Sequence, residues 1–278
     1  MLAITLISLC LLAQMYGISY SFKAIERPEV WIVGRSKNSG PPQPTQVIPW
    51  GINRIRAPDA WSTSTGGGIQ IAVLDTGVDM DHVDLHLNIV WGICVVKGKE
   101  STNPREFKDR NGHGTHVAGT IAALYKKIGV VGVGYDISIY AIKVLNNAGF
   151  DTWEDVAEGI WWAIKGPDGI LDVDGDGQVV GDPDDDAAEV MSMSLGGVSY
   201  SAELESAVKA AYKYNIVLVA AAGNEGEDGV LYPAKFPKVI AVAVINKDDT
   251  VPSWSSRDLE VEMAAPSVDI LSTIPNDK

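Results

Sequence analysis

From about Gln46 onward the chain alternates short apolar runs with longer amphipathic stretches. The runs at residues 69–74, 137–145, 189–195, 216–222 and 239–245 predict strands. Several are nearly continuous in Val, Ile, Leu and Ala, as expected for strands covered on both faces. Helices are predicted between them at 116–124, 153–164 and 202–214. In the second helix Val156, Ile160, Ala163 and Ile164 share one face, and the acids Glu154, Asp155 and Glu158 crowd its start, where the helix dipole favours them. Strands alternating with helices imply an α/β domain of three layers, a mostly parallel sheet with helices on both sides. Ligands bind such sheets beyond the carboxyl ends of the strands, so the chemistry is expected just after each run.

The beginning of the chain has a different texture. Residues 2–15 are mostly apolar, interrupted by Thr5, Ser8 and Gln14. That run is too short for a membrane-spanning helix, which needs about 20 residues. It has the length of a signal-peptide core, although no Lys or Arg precedes it and no A-x-A site follows. The expectation is a leader over residues 1–21 and a secreted protein; a misassigned start fits the same residues. Residues 35–45, RSKNSGPPQPT, read as linker, so 22–45 is taken as a linker or propeptide remnant. A single domain is expected over 46–278, with no internal repeat and no membrane span.

Composition narrows the partners. A hydrophobic content of 46% supports a large core, and 28 glycines with 14 prolines imply many tight connections. The net charge of -14 argues against nucleic acid or an anionic membrane as the main partner. Two cysteines, Cys10 and Cys94, exclude a disulfide scaffold.

Three segments stand where chemistry is expected. IQIAVLDTGVD puts Asp75 at the end of a buried strand, where a carboxylate is costly unless something pairs with it. An Asp capping a turn fits that segment equally well. NGHGTHVAGTIAA places His113 and His116 at the start of a helix of small residues; a metal pair at i, i+3 is a rival reading, but the H-E-x-x-H spacing is missing. IVLVAAAGNEG runs from a buried strand into Asn224, an amide that could donate to a developing oxyanion or simply make a turn.

Taken together, D-T-G, H-G-T-H-V-A-G-T and A-A-G-N-E-G resemble the subtilisin (subtilase) family in order and separation. PWGI at residues 49–52, SMSLGG at 192–197 and APSVDILST at 265–273 extend the resemblance over residues 46–278. It implies a subtilisin-like fold and a serine endopeptidase acting on polypeptides by an Asp-His-Ser mechanism. In that reading Asp75 orients His113, His113 is general base and acid, and Asn224 donates to the oxyanion. Ser194, Leu195 and Gly196 would pair with an extended substrate backbone. The facing wall departs from the family's Gly-Ser-Gly, having Gly149, Phe150 and Asp151. The family continues after APSVDILST to G-T-S-M-A, whose Ser is the nucleophile; the 278 residues contain no G-T-S and no G-x-S-x-G. The resemblance therefore implies a domain incomplete at its C-terminus, a missing C-terminal segment, and a chain inactive by itself. A non-catalytic calcium-binding protein on the same scaffold is the alternative.

The segment GPDGILDVDGDGQVVGDPDDDAAEV points to calcium. Asp172, Asp174 and Asp176 alternate ahead of Gly177, and a carbonyl from Gln178 would follow, as in the opening of an EF-hand loop; Asp182, Asp184, Asp185 and Asp186 come next. Pro183 stands where the twelfth-position Glu would be, so this is an inserted loop rather than an EF-hand. A solvated acidic loop is the plainer reading. Similar insertions occur in calcium-dependent subtilisins of hyperthermophile type. The resemblance also implies a second calcium site from Gln46, Asp84 and the loop 124–130, where Lys126 replaces an expected oxygen ligand and should leave the site weak or empty.

Overall fold

The computed structural model describes residues 45–182 and 185–276. The expected leader and nearly all of the expected linker lie outside those residues, as do Asp184 and Lys278. Seven strands form one sheet: β1 (Gln70–Asp75), β2 (Ile89–Cys94), β3 (Ser138–Lys143), β4 (Val190–Met193), β5 (Val217–Ala221), β6 (Val239–Ile245) and β7 (Val261–Pro266). Their spatial order is β2-β3-β1-β4-β5-β6-β7, and every neighbouring pair is parallel. The helices are α1 (Trp50–Arg54), α2 (Ala57–Ala60), α3 (Pro104–Phe107), α4 (His113–Ala122), α5 (Trp153–Lys165) and α6 (Ala202–Lys213).

The pleat divides each strand between two cores. Ala72 and Leu74 of β1, Ile142 of β3, Met191 of β4 and Leu218 of β5 face Val156, Ile160 and Ile164 of α5 and Leu204 and Val208 of α6. Ile71 and Val73 of β1, Ile139 of β3 and Val219 of β5 face the other way, toward Val117 and Ile121 of α4 and Ile52 of α1. Burial on both faces explains the near-continuous apolar runs. Each fully buried Ile or Leu contributes about 1.5–3 kcal/mol, so the two cores fix the strands and, with them, whatever follows their carboxyl ends.

Local signals set the helix starts. Thr152 caps α5 by accepting from the Asp155 N–H, and Ser201 caps α6 by accepting from the Leu204 N–H. The helix expected at 116–124 begins three residues earlier, at His113. Gly112 allows this, because its φ of 112° is in the left-handed region and turns the chain into α4. The apolar runs do not predict β2 and β7. Both are edge strands with exposed positions, Val90 on one and Met263 on the other, and neither reads as a continuous apolar run.

Because all the strands are parallel, Asp75 at the end of β1, Ser194 after β4 and Asn224 after β5 emerge at one edge of the sheet. No helix among the described residues is long and apolar enough to cross a membrane.

Candidate active site

Asp75 is fully buried. One oxygen accepts from the Thr76 N–H at 2.6 Å, and Nδ1 of His113 lies 2.8 Å from Oδ1 and 2.9 Å from Oδ2. A carboxylate on Nδ1 fixes the tautomer with its proton there and leaves Nε2 as the basic nitrogen. Nε2 is itself buried and has no hydrogen-bond partner among the described residues. Burial pulls the His113 pKa down, but the charge and hydrogen bond of Asp75, helped by Asp109, outweigh it and hold the pKa above its ordinary value of 6.5.

The backbone comes close because Gly114 follows the histidine. A Cβ on Gly114 would collide with the carbonyl oxygen of Gly77 and lie 3.0 Å from Asp75 Oδ1. Two residues that sequence reasoning missed hold this arrangement. Asp109, fully buried, accepts at one oxygen from Thr76 Oγ1, Asn111 N and Gly112 N, and at the other from Thr115 N and Thr115 Oγ1. It thereby ties the turn after β1 to the first turn of α4. Thr76 completes the tie, since its hydroxyl oxygen accepts from Gly114 N at 3.0 Å. The sequence signal for Asp109 is slight, an Asp shortly before an N-G turn and a helix start.

Lys143 also supports the strand end, with no motif in the sequence to mark it. It is the register partner of Asp75 across β1 and β3, and its buried ammonium donates to the carbonyl of Thr76. Burial lowers its pKa, against the opposing pull of Asp109, Cys94 and Asp75.

His116 does not join His113 as a ligand pair. Its Nε2 lies 3.1 Å from the Ile270 carbonyl oxygen, to which it donates, and burial lowers its pKa to about 4, opposed by that carbonyl and aided by His113. With Ser272 Oγ donating to the His116 carbonyl at 2.8 Å, it pins α4 to the segment after β7.

Ser194 and Leu195 are buried and lead into Gly197, whose N–H and C=O both pair with Tyr232 at 3.0 Å. Leu195, Gly196, Gly149, Phe150, Asp151 and Trp153 line one cleft of about 570 Å³. The cleft lining brings Leu195 and Gly196 together with Gly149, Phe150 and Asp151, whereas Ser194, fully buried, is not part of it. Phe150 is largely exposed, and Asp151 has its pKa raised by burial and by the neighbouring Asp155 carboxylate. Asn224 sits half-buried in a loop after β5, held where Ser256 N donates to Gly223 O and Glu225 N donates to Ser256 Oγ. Ser192 is fully buried within β4.

Of the acidic segment, Asp172, Asp174 and Asp176 gather so that one carboxylate oxygen from each lies within 4.8 Å of the others. Asp172 accepts from Gly175 N and Gly177 N, Asp174 from Asp176 N, and Asp176 from Gln178 N. Asp185 lies beside them, accepting from Val173 N at 2.9 Å. That bond favours its charge, yet burial and the charges of Asp172, Asp182 and Asp174 leave its pKa raised. Asp182 and Asp186 are not in that cluster; the Asp186 carbonyl accepts from the Tyr140 hydroxyl. Gln46 and Asp84 meet on the loop 124–130, where Lys126 lies against Asp84.

Comparison with known proteins identifies the family of the chain. Residues 66–276 match the model of the subtilase family, peptidase S8. The chain is 40% identical over 241 residues to an intracellular serine protease of Paenibacillus polymyxa, covering 85% of this chain and 68% of that protein. It is 41% identical over 235 residues to subtilisin amylosacchariticus of Bacillus subtilis subsp. amylosacchariticus, and 40% identical over 235 residues to subtilisin E of Bacillus subtilis. Those two alignments cover 83% of this chain and 55% of each relative. The chain thus spans about half to two thirds of the length of these relatives.

Proposed function

The chain belongs to the subtilase family, and from that membership we propose a serine-type endopeptidase domain acting on polypeptides, with Asp75, His113 and Asn224 as its catalytic groups. The observation that carries this reading is the imidazole of His113, clamped on Asp75 through Nδ1 while Nε2 is buried and has no partner among the described residues. Nε2 takes the proton of a serine hydroxyl as its oxygen attacks the scissile carbonyl carbon. The imidazolium so formed is stabilised by Asp75 and gives the same proton to the leaving amine. The carbonyl oxygen, negative in the intermediate, accepts from the Asn224 amide, a type of donor worth roughly 3–4 kcal/mol of barrier. Leu195 and Gly196, with Gly149 and Phe150, hold the extended substrate in the cleft they line.

The hydroxyl is the remaining part. In the family it belongs to G-T-S-M-A, a segment that follows APSVDILST, and the 278 residues carry no such motif. The reading is that these residues alone do not turn over peptides, and that a segment bearing G-T-S-M-A completes the site. A serine-reactive phosphonate tests it: a chain extended by that segment should label, and His113→Ala or Asp75→Asn should suppress the labelling. Labelling unaffected by either substitution would contradict the roles of the two residues as base and orienting carboxylate.

Calcium is proposed as a structural ion of the acidic loop. Asp172, Asp174 and Asp176 offer hard oxygen ligands of the right kind, Gln178 adds a backbone carbonyl by resemblance, and the mutual repulsion of Asp172, Asp174, Asp182 and Asp185 gives a cation something to neutralise. The ion would hold the loop and take no part in the proton transfers. A secreted location is proposed on the apolar run at residues 2–15 alone.

A further inference from the structure

The family resemblance implies a calcium ion held by Gln46, Asp84 and the loop 124–130, and the residues present do not fit one. Calcium needs six to eight oxygens at about 2.3–2.6 Å that face it with free lone pairs. In this corner of the fold the amide and carbonyl oxygens are engaged by nitrogen donors, and Asp84 Oδ1, which accepts no hydrogen bond among the described residues, faces an ammonium instead. The Gln46 side-chain amide donates from Nε2 to Leu124 O at 2.7 Å and to Val130 O at 2.9 Å, while its Oε1 accepts from Lys126 N at 2.8 Å. The orientation of that amide is dictated by its surroundings, because two carbonyls on one side require the NH₂ and an N–H on the other requires the oxygen. Lys126 Nζ stands 2.7 Å from Asp84 Oδ1 and also donates to the carbonyl of Val83.

Asp84 makes the need for a cation acute. It is 5% exposed, and Val130 N approaches its other oxygen at 3.4 Å. A buried carboxylate must be paired. Among the described residues no other Lys or Arg stands within ion-pair distance of it. We infer that the ammonium of Lys126 is the resident cation of this site: a covalently tethered charge takes the place that a calcium ion would otherwise fill, and this corner of the fold is held without metal. The tie is structurally central. Gln46 N donates to Lys127 O, Val47 N donates to Gly129 O, and Val131 N donates to Val47 O, so the chain at 46–47 is bound to the same loop that carries Lys126.

Neither Asp75 nor His113 enters this site, so it stands apart from the catalytic reading. Thermal melting of the 278-residue chain tests it, in a D174N/D176N background that removes the ligands proposed for the acidic loop. The background chain should melt at the same temperature in calcium and in chelator. Lys126→Met should lower the melting temperature in chelator by about 5–15 °C, the effect of leaving a buried charge unpaired in a domain of this size. Calcium should restore part of that loss, and it should do nothing for D84N/K126M, which lacks both charges. A calcium-dependent rise in the background chain that Asp84→Asn abolishes would overturn the inference. So would a Lys126→Met chain that melts as the background does in chelator. Where Lys126→Met does not fold in chelator, recovery of the folded chain in calcium supports the substitution of one cation by the other, and failure to recover contradicts it.

Discussion

Nδ1 of His113 lies nearly equidistant from the two carboxylate oxygens of Asp75, at 2.8 and 2.9 Å, although the two residues belong to different layers of the fold. Asp75 is the last residue of a central strand and His113 the first of a helix packed on one face of the sheet. Their meeting depends on Asp109, which ties the strand's exit to the helix's entry, and on the small volume of Gly114. Removing either support should be felt at the pair.

His113 and His116 should therefore titrate in opposite directions, although they are three residues apart. The pKa of His113 is raised above 6.5, while that of His116 is lowered to about 4. For His113 the stabilisation is fully present below about pH 6.5 and is lost as pH rises through the folded value. For His116 the folded state resists protonation, so stability falls as pH drops from about 6.5 toward 4. NMR titration of the two imidazoles checks this. Asp75→Asn should drop the His113 pKa below 6.5, because burial then acts with little opposition, and should leave His116 nearly unchanged.

Asp109→Ala should destabilise the chain by about 3 kcal/mol or more, since it leaves Thr115 N, Gly112 N, Asn111 N and two hydroxyls without their acceptor in a buried site. Urea denaturation measures the loss. A cost below about 1 kcal/mol would show that water reaches those groups readily.

Gly114→Ala should cost about 1–3 kcal/mol by overpacking against Gly77 O and Asp75. The same substitution should shift the His113 titration, which a purely remote destabilisation would not do. Paired denaturation and NMR experiments separate the two.

The strands of the central sheet were legible because burial on both faces makes their sequences almost uniformly apolar, as in Ile71–Leu74 with no exposed position among them. β2 and β7 were hidden for the same physical reason in reverse: an edge strand exposes residues such as Val90 and Glu262, and its pattern is broken. Asp75, His113 and Asn224 were marked by motifs at strand and helix ends. Asp109 and Lys143 were not, because each also binds Thr76, 33 and 67 residues away, which only the folded chain brings into reach. Lys126 stands out in the sequence as an obstacle to a metal; that its ammonium meets Asp84 directly is a consequence of the tertiary fold.

Calcium should stabilise the unmodified chain through the acidic loop. At about 100 times the dissociation constant, one site contributes about 2.7 kcal/mol. Melting curves in calcium and in chelator should differ, and Asp174→Asn with Asp176→Asn should erase the difference. Coincident curves for the unmodified chain would mean that the gathered Asp172, Asp174 and Asp176 are only a solvated loop.

The most direct test of the Asp75–His113 base is hydrolysis of a fluorogenic peptide by two chains side by side, the 278 residues alone and the same chain extended at Lys278 by a segment carrying G-T-S-M-A and the helix after it. No turnover is expected from the first and protease-level turnover from the second. His113→Ala in the extended chain should bring the rate down by about the 2 × 10⁶ in kcat that removal of this residue costs subtilisin itself. Turnover by the 278-residue chain that His113→Ala abolishes would show a nucleophile already present, and turnover by the extended chain that survives His113→Ala would contradict the role assigned to the histidine.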